Sequence, residues 1–254
     1  MVDRPRSGVD DQLVEELDCD GFSIRREVVP RELVDRMRAD VDEALLAERT
    51  QFPPGDDQYG RLLFAASHGA SFLDFVACEP VFGPLEELLG PDSILYTYTT
   101  SVLLPGEAGP VSEYHDDFDP GRSRTRLALG AIVMIDAFSS ASGATEVLPG
   151  SHRRTSRTDP APWEPSQPQL LIGAPGDVCF FDPRTLHRTT RNVSPGPRRS
   201  VLVLLVRPWI KQRFDVRQML GDALLGSCDP VVSRRLGSAS FPALSADEFL
   251  ARRG

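Results

Sequence analysis

Lysine is almost missing from this 254-residue sequence. Lys211 is the only one, so 27 of the 28 basic residues are arginine. An anionic ligand that needs a cationic partner must therefore bind an arginine, whose planar fork of donors matches a carboxylate. The 28 basic residues are outnumbered by 37 acidic ones, the formal net charge is -9, and no dense basic block occurs. This balance disfavours nucleic-acid binding, which depends on clustered positive charge.

Cysteine is scarce, and long apolar runs are absent. The four cysteines, at positions 19, 78, 179 and 228, lie far apart and form no CxxC pair. This spacing excludes a disulfide framework and a cysteine-based zinc site. The longest apolar run, 201–206, has six residues, which is far too short to cross a bilayer, and the first residues contain no apolar signal-peptide core. We therefore expect a cytoplasmic protein without a membrane segment.

The length and the apolar (41%) and charged (26%) fractions predict a single globular domain spanning 1–254. In its first part, 1–92, periodic apolar positions predict helices at 11–17, from Pro30 onward and at 80–89, with a short strand at 22–24. This part would form a mainly helical N-terminal layer. Residues 210–254 would form a C-terminal cap whose last helix opens with a capping box at 245–248.

Between residues 93 and 209 the pattern changes to short strands separated by Gly, Pro and Asp turns. The clearest predicted strands are 94–104, 126–135, 144–148, 177–181 and 200–207. Strands at this spacing without intervening helices indicate a β-sandwich or barrel. Two segments without periodicity, 52–60 and 153–169, are predicted loops, and loops of such length often cover binding sites.

The chain has four histidines, and one of them belongs to a His-x-Asp pattern. His115 and Asp117 are two positions apart, so in an extended segment both side chains point to the same face. His187 would complete a set of two histidines and one carboxylate, the facial triad that holds Fe(II) and leaves positions open for co-substrates. A His-x-Asp pair alone also occurs in surface turns, and a lone histidine is often structural. The order of the surrounding elements therefore matters.

That order resembles the phytanoyl-CoA dioxygenase (PhyH)-like family of Fe(II)/2-oxoglutarate-dependent oxygenases. The resemblance is carried by Asp20-Gly21-Phe22 before the Pro30 helix, by the His-x-Asp pair, and by the segment at 142–153, which reads SGATEVLPGSHR. It continues through Gly176-Asp177 to His187, Asn192 and Arg198. The resemblance implies a fold that is mainly β with flanking α-helices, built on a cupin-like double-stranded β-helix (jelly-roll) core.

The resemblance also implies cofactors and site residues. His115, Asp117 and His187 would ligate Fe(II), and 2-oxoglutarate and O2 would be co-substrates. Arg198 would bind the distal carboxylate of 2-oxoglutarate, with Arg199 as the competing candidate, because both faces of 201–206 are apolar and do not show which arginine points inward. Thr189 could donate a hydroxyl to the co-substrate or be an ordinary strand residue. His152, in the PGSH segment, would be structural, and the role of His68 stays open.

The activity implied by this resemblance is oxidation, most simply hydroxylation, of a C–H bond in a small organic molecule, with release of succinate and CO2. A role in bacterial secondary metabolism is one expectation. The same oxidant could instead drive desaturation, epoxidation or cyclisation. Because related halogenases replace the carboxylate by a small residue, Asp117 disfavours halogenation. A cupin-type iron oxygenase that does not use 2-oxoglutarate and a non-catalytic jelly-roll binding module are the rival classes.

The substrate and the oligomeric state are not indicated by the sequence. Loops 52–70 and 153–170 and the segment beyond Trp209 are expected to surround the substrate. The absence of a basic cluster for CoA phosphates argues against an acyl-CoA. Aromatic or cationic residues that could shape the pocket are Tyr59, Arg61, Tyr98, Phe118, Phe138 and Trp163.

Overall fold

Two antiparallel sheets and a layer of helices make up the computed structural model, which describes residues 9–48, 61–109, 112–118, 125–154, 167–243 and 245–251. The strands are β1 (Phe22–Arg25), β2 (Ile94–Leu103), β3 (Ala128–Met134), β4 (Thr145–Val147), β5 (Gln169–Leu170), β6 (Val178–Phe181), β7 (His187–Thr189) and β8 (Arg198–Val206). The helices are α1 (Asp11–Cys19), α2 (Arg31–Glu48), α3 (Ala70–Val76), α4 (Glu79–Leu89), α5 (Val216–Ser227), α6 (Pro230–Arg235) and α7 (Ala246–Ala251).

The larger sheet has five strands in the order β1-β6-β3-β8-β2, and the smaller has three in the order β5-β4-β7. From β2 to β8 the chain passes back and forth between the two sheets. Residues 112–118 join the edge of the smaller sheet through an isolated antiparallel bridge between His115 and His187. Two sheets connected in this way enclose a narrow interior whose lining comes from strands that are distant in sequence.

The five-stranded sheet is buried on both faces. On β8, Val201, Val203 and Leu205 belong to the core shared with the helices. Leu204 lies in a second core with residues of the smaller sheet, and Leu202 packs against it. Because side chains alternate along a strand, odd positions of β8 face the helices and even positions face the space between the sheets. The helical core includes residues of α1, α2, α3 and α4.

The start of α2 agrees with the sequence prediction, and side-chain hydrogen bonds explain the starts of α1 and α5. Pro30 immediately precedes α2, consistent with the predicted start. The side chain of Asp10 accepts a hydrogen bond from the backbone N–H of Leu13 at 2.6 Å, which fixes the first turn of α1. Asp215 caps α5 in the same way, through the N–H of Gln218 at 3.0 Å.

The prediction of a mainly β chain needs correction. The described residues contain more helix than strand, so the architecture is mixed α/β with antiparallel sheets. The difference arises because the smaller sheet consists of very short strands and because α5 and α6 were not predicted. No helix in the described ranges is both long and apolar enough to span a membrane.

Candidate metal and co-substrate site

Two neighbouring chain segments bring His115 and His187 side by side. His187 begins β7, and the segment that carries His115 runs antiparallel to it. Each of the two residues donates its backbone N–H to the carbonyl of the other, with N···O distances of 3.0 Å. As a result the imidazole ring centres are 4.3 Å apart.

Asp117 completes the cluster from the same face as His115. Its backbone N–H donates to the carbonyl of Pro183 at 2.9 Å, which fixes the end of the segment. Its two carboxylate oxygens lie 3.7 Å from Nε2 of His115 and 3.6 Å from Nε2 of His187. One potential ligand atom from each residue lies within 4.8 Å of the others. The structure thus brings together the three residues that the sequence predicted as ligands.

Hydrogen bonds at Nδ1 orient both rings. The Nδ1 atoms of His115 and His187 lie 3.1 Å and 3.0 Å from the backbone carbonyls of Glu113 and Thr185. A carbonyl oxygen only accepts, so each Nδ1 carries the hydrogen and each Nε2 presents its lone pair to the cluster. Burial, with a contribution from the His187 ring, lowers the pKa of His115. The neutral imidazole, which is the form that binds a metal, is therefore favoured.

The polar atoms of the cluster fit a bound cation. Oδ2 of Asp117 is buried and has no hydrogen-bond partner among the described residues. A buried carboxylate oxygen without a donor carries a desolvation cost, which a cation at the centre of the cluster would remove. Two imidazole nitrogens and one carboxylate are the donor set of non-haem Fe(II) centres. The residues present therefore fit Fe(II).

Arg198 is a buried cation near the cluster. Its side chain lies on the even-numbered face of β8, and the residue is only 2% exposed. Nη1 donates to Oγ of Ser200 at 3.1 Å, and the guanidinium lies 4.6 Å from the ring centre of Phe138. Nε and Nη2 have no partner within the described part of the chain. Burial lowers the pKa of Arg198 to about 10, against the opposing effect of Asp136.

Arg199 points to the opposite face, as strand alternation requires. Its guanidinium donates to Asp136 at 2.7 Å and to Asp42 of α2 at 2.7 and 2.9 Å. Both carboxylates lie outside the space between the sheets. Strand parity therefore separates the two arginines that the sequence left as alternatives, and it places Arg198 on the side of the cluster.

One small cavity, of about 80 Å³, connects the cluster to Arg198. Thr189 lines it too, on the face that its spacing from His187 predicts. The other lining residues are Arg61, Thr99, Ser101, Ile132, Thr145, Ser200 and Leu202. The hydroxyls among them were missed in the sequence. Alternating polar residues in the otherwise buried β2 could have indicated them, since a hydroxyl on a doubly covered strand needs a polar neighbour.

The aromatic residues that were predicted to shape the pocket have different outcomes. Tyr98 was wrong as a pocket residue, because it lies in the core shared with the helices and its hydroxyl donates to the carbonyl of Phe72 at 2.9 Å. Phe138 supports Arg198, as described above. Phe118 packs edge-on against Tyr96, with ring centres 5.3 Å apart. Tyr59 and Trp163, with most of the two predicted loops, lie outside the described residues.

Two histidines stay apart from the cluster. His152 is 6% exposed, and its Nε2 lies 3.2 Å from the carbonyl of Asp18, consistent with a structural position. His68 ends a short 3-10 helix at 65–67. In the described ranges, no residue beyond Leu202 lines the cavity, so the expectation that the segment after Trp209 contributes to it is not supported there.

The chain is similar to known proteins in both sequence and fold. The chain is 25% identical over 249 residues to an uncharacterised protein of Mycobacterium tuberculosis, covering 94% of this chain and 90% of that protein. It is 25% identical over 224 residues to the ectoine dioxygenase of Nocardia farcinica, covering 74% of each. The crystal structure of SnoK, a non-haem α-ketoglutarate-dependent carbocyclase from nogalamycin biosynthesis, matches with a TM-score of 0.62 at 21% identity. That match covers 81% of this chain and 87% of SnoK.

The family assignment follows from a match to a family model across most of the chain. The model named phytanoyl-CoA dioxygenase (PhyH) matches residues 17–200, a range that contains the His115, Asp117 and His187 cluster and Arg198. Members of this family are non-haem, 2-oxoglutarate-dependent dioxygenases that act on small molecules, so the chain is an enzyme of that type. It belongs to the phytanoyl-CoA dioxygenase family.

Proposed function

We propose that the chain is an Fe(II)- and 2-oxoglutarate-dependent dioxygenase whose metal is held by His115, Asp117 and His187 and whose 2-oxoglutarate is anchored by Arg198. One observation carries the proposal. A cluster of metal-ligating atoms and a buried guanidinium with two unpartnered nitrogens line the same cavity. Either the cluster or the guanidinium, buried without a ligand, would carry a desolvation cost. Together they provide for a metal chelate and a carboxylate.

The protein's own groups have distinct roles in this proposal. The Nδ1 hydrogen bonds hold both imidazoles with Nε2 toward the metal, and the carboxylate of Asp117 supplies the negative ligand. Arg198 accommodates the distal carboxylate of 2-oxoglutarate through Nε and Nη2, while Ser200 and the ring of Phe138 hold the guanidinium in place. Thr189 would add a hydroxyl near the co-substrate. When bound, Fe(II) with 2-oxoglutarate and O2 supplies an oxidant for a C–H bond and leaves succinate and CO2.

The strand arrangement supports a double-stranded β-helix, or jelly roll, as the core of one domain. In that fold the chain alternates between two facing sheets, and the ligands lie on strands that line the interior. From β2 the chain passes through 112–118 beside the smaller sheet, returns to the larger sheet in β3, forms β4 and β5 in the smaller sheet and then alternates through β6, β7 and β8. The helices before β2 and after β8 would form the N-terminal layer and the C-terminal cap.

The substrate in this proposal is a small organic molecule, and hydroxylation is the proposed reaction. A role in bacterial secondary metabolism is supported by the likeness to SnoK, an enzyme from nogalamycin biosynthesis. Because SnoK is called a carbocyclase, cyclisation is a second candidate reaction, with desaturation and epoxidation as related outcomes. Product mass distinguishes two pairs of reactions. Hydroxylation and epoxidation add one oxygen atom, whereas ring closure and desaturation remove two hydrogens.

The direct test is an anaerobic titration of the protein with Fe(II) and then 2-oxoglutarate. The chelate should produce a weak visible charge-transfer band, and His115→Ala should abolish both metal binding and the band. Arg198→Gln should retain metal but weaken 2-oxoglutarate binding on the order of 100-fold, because it truncates a buried charged partner of the carboxylate. Arg199→Gln is the matched control and should bind 2-oxoglutarate like the wild type.

The same experiment separates the rival classes. A wild-type protein that binds Fe(II) and consumes O2 but gives no band and no succinate would be an iron oxygenase that does not use 2-oxoglutarate. A protein that binds no metal would be a non-catalytic module. Equal losses of 2-oxoglutarate affinity in Arg198→Gln and Arg199→Gln would contradict the assignment of Arg198 as the anchor.

A further inference from the structure

The outer face of the smaller sheet carries a row of three polar residues directly behind the ligand cluster. Glu146 of β4 pairs with Arg188 of β7, and Arg188 and Tyr114 each stand next to a histidine of the cluster in sequence. Because His115 bridges to His187, Tyr114 lies beside Arg188 in the antiparallel register. The row therefore crosses three adjacent chain segments on the face opposite the cluster.

Short contacts join the three side chains. The hydroxyl of Tyr114 donates to Oε1 of Glu146 at 2.5 Å, and Nε of Arg188 donates to the same oxygen at 2.6 Å. The guanidinium of Arg188 also lies 4.7 Å from the ring centre of Tyr114. The side chain of Glu146 is 17% exposed, so its charge-assisted bonds are partly shielded from water and stronger than those of an open surface pair.

The segment with His115 needs such a link, because few backbone bonds connect it to the rest of the described chain. Residues 112–118 form no regular strand, and their ladder contact with β7 is a single bridge of two hydrogen bonds. One further backbone contact, from the N–H groups of Asp117 and Phe118 to the carbonyl of Pro183, lies at the end of the segment. The side chain of Glu146 extends across β7 to Tyr114 and so connects the part of this segment before His115 to β4. A shift in register there would separate His115 from His187.

We infer that Glu146, through Tyr114 and Arg188, is a positioning residue that holds the His-x-Asp segment in the register needed for metal binding. This inference rests on the proposed function, because it concerns the metal that the cluster would hold. Glu146 touches neither the metal ligands nor the cavity, and it acts only through the two residues beside the histidines. Groups that orient metal ligands from outside typically change metal affinity by about 10- to 100-fold when they are removed.

Cobalt(II) titration of the purified protein, followed by visible absorption, tests the inference without relying on turnover. Glu146→Ala should lower Co(II) affinity about 10-fold. Tyr114→Phe keeps the ring on Arg188 and removes one hydrogen bond, so it should cause a smaller loss of the same kind. Glu146→Gln retains an acceptor oxygen and should recover most of the affinity. In the double variant, Tyr114→Phe should add nothing to Glu146→Ala, because both remove the same bond.

Glu16→Ala is the matched control. Glu16 accepts hydrogen bonds from the hydroxyl of Ser23 at 2.6 Å and from Arg25 at 3.0 Å, so it has the same kinds of partner, but none of them adjoins a cluster residue. This variant should bind Co(II) like the wild type.

Each outcome decides the matter. Wild-type Co(II) affinity in Tyr114→Phe and in a folded Glu146→Ala would overturn the inference, as would an equal loss in Glu16→Ala. If Glu146→Ala does not fold, Tyr114→Phe decides alone. A wild-type protein that binds no metal would instead overturn the proposed function.

Discussion

At the scale of single residues, Arg198 carries a desolvation cost that a bound carboxylate would offset. The residue is 2% exposed, and two of its nitrogens lack partners among the described residues. Its pKa is lowered to about 10 by burial, so the folded state binds this proton less tightly than the unfolded chain does. The cost is fully present at neutral pH, and stability would recover only as the pH rises through about 10.

Replacing this charge should therefore stabilise the protein without 2-oxoglutarate. We expect Arg198→Met to raise the free energy of unfolding by roughly 1–3 kcal/mol in urea denaturation, because an apolar side chain of similar length fits a buried site better than an unpaired charge. Adding 2-oxoglutarate to protein already loaded with a redox-inert metal should stabilise the wild type further and should stabilise the variant much less. Arg199→Met, which breaks bonds to Asp42 and Asp136, should instead destabilise. A loss of stability in Arg198→Met would contradict the account.

The choice between Arg198 and Arg199 also shows a limit of sequence reasoning. Alternation along a strand predicts which side chains share a face, but a polar and an apolar face are needed to tell inside from outside. In β8 both faces are apolar, because helices cover one and the smaller sheet the other. That His115 and Asp117 share a face was predictable from their spacing, but their role as ligands was not. That His187 would meet this pair in space could be predicted only from the order of the surrounding motifs.

At the scale of elements, the turn between β7 and β8 depends on one buried amide. Asn192 is fully buried, and its Nδ2 donates to the carbonyls of Leu103 and Gly196, both at 2.9 Å. Its Oδ1 accepts from the backbone N–H of Ser194 at 2.9 Å and from the hydroxyl of Ser194 at 2.6 Å. These bonds connect the end of β2 to the turn that leads into Arg198.

Asn192→Ala should accordingly lower the free energy of unfolding by about 2–4 kcal/mol, because the buried carbonyl of Leu103 loses the amide donor and that of Gly196 keeps only the hydroxyl of Ser194. Chemical denaturation measures this loss. Ser194→Ala removes the hydroxyl contacts to Asn192 and Gly196 but keeps the amide and its bond to Leu103, and it should cost less than about 1 kcal/mol. If the two variants were equally stable, the buried amide would not be what holds the turn.

Elements that the sequence predicted and those that it missed differ in length and in what contacts them. The amphipathic helix α2 is recognised from its periodic apolar positions, and the long strands β2 and β8 are recognised from their length and their β-prone residues. Strands β5 and β7 have two and three residues, too few for any period, and they form by pairing with β4 and, for β7, also with the segment that carries His115. Helix α5 is interrupted by Gly221, whose φ of 77° is non-helical, so its apolar pattern is broken in the middle.

At the scale of the whole molecule, the site and the C-terminal helices lie on different sides of the larger sheet. The cluster and Arg198 line the space between the two sheets, whereas α5 and α6 pack with the helical layer. Arg235 of α6, 1% exposed, joins these helices to α4. It donates to Glu86 at 2.7 Å and 3.1 Å, to Glu79 at 2.6 Å and to the carbonyl of Val76 at 2.9 Å.

This separation predicts that stability and co-substrate binding can be changed independently. Arg235→Ala should lower the free energy of unfolding by roughly 3 kcal/mol, because it leaves the nearly buried carboxylate of Glu86 with Arg234 as its one charged partner among the described residues. Arg31→Ala, which removes an exposed pair with Asp35, should cost less than about 1 kcal/mol. Both variants should bind 2-oxoglutarate as tightly as the wild type at temperatures where they are folded. A large loss of affinity in folded Arg235→Ala would mean that the helical layer controls the geometry of the site across the sheet. The three layers would then act as one unit rather than as a scaffold with the site on one face.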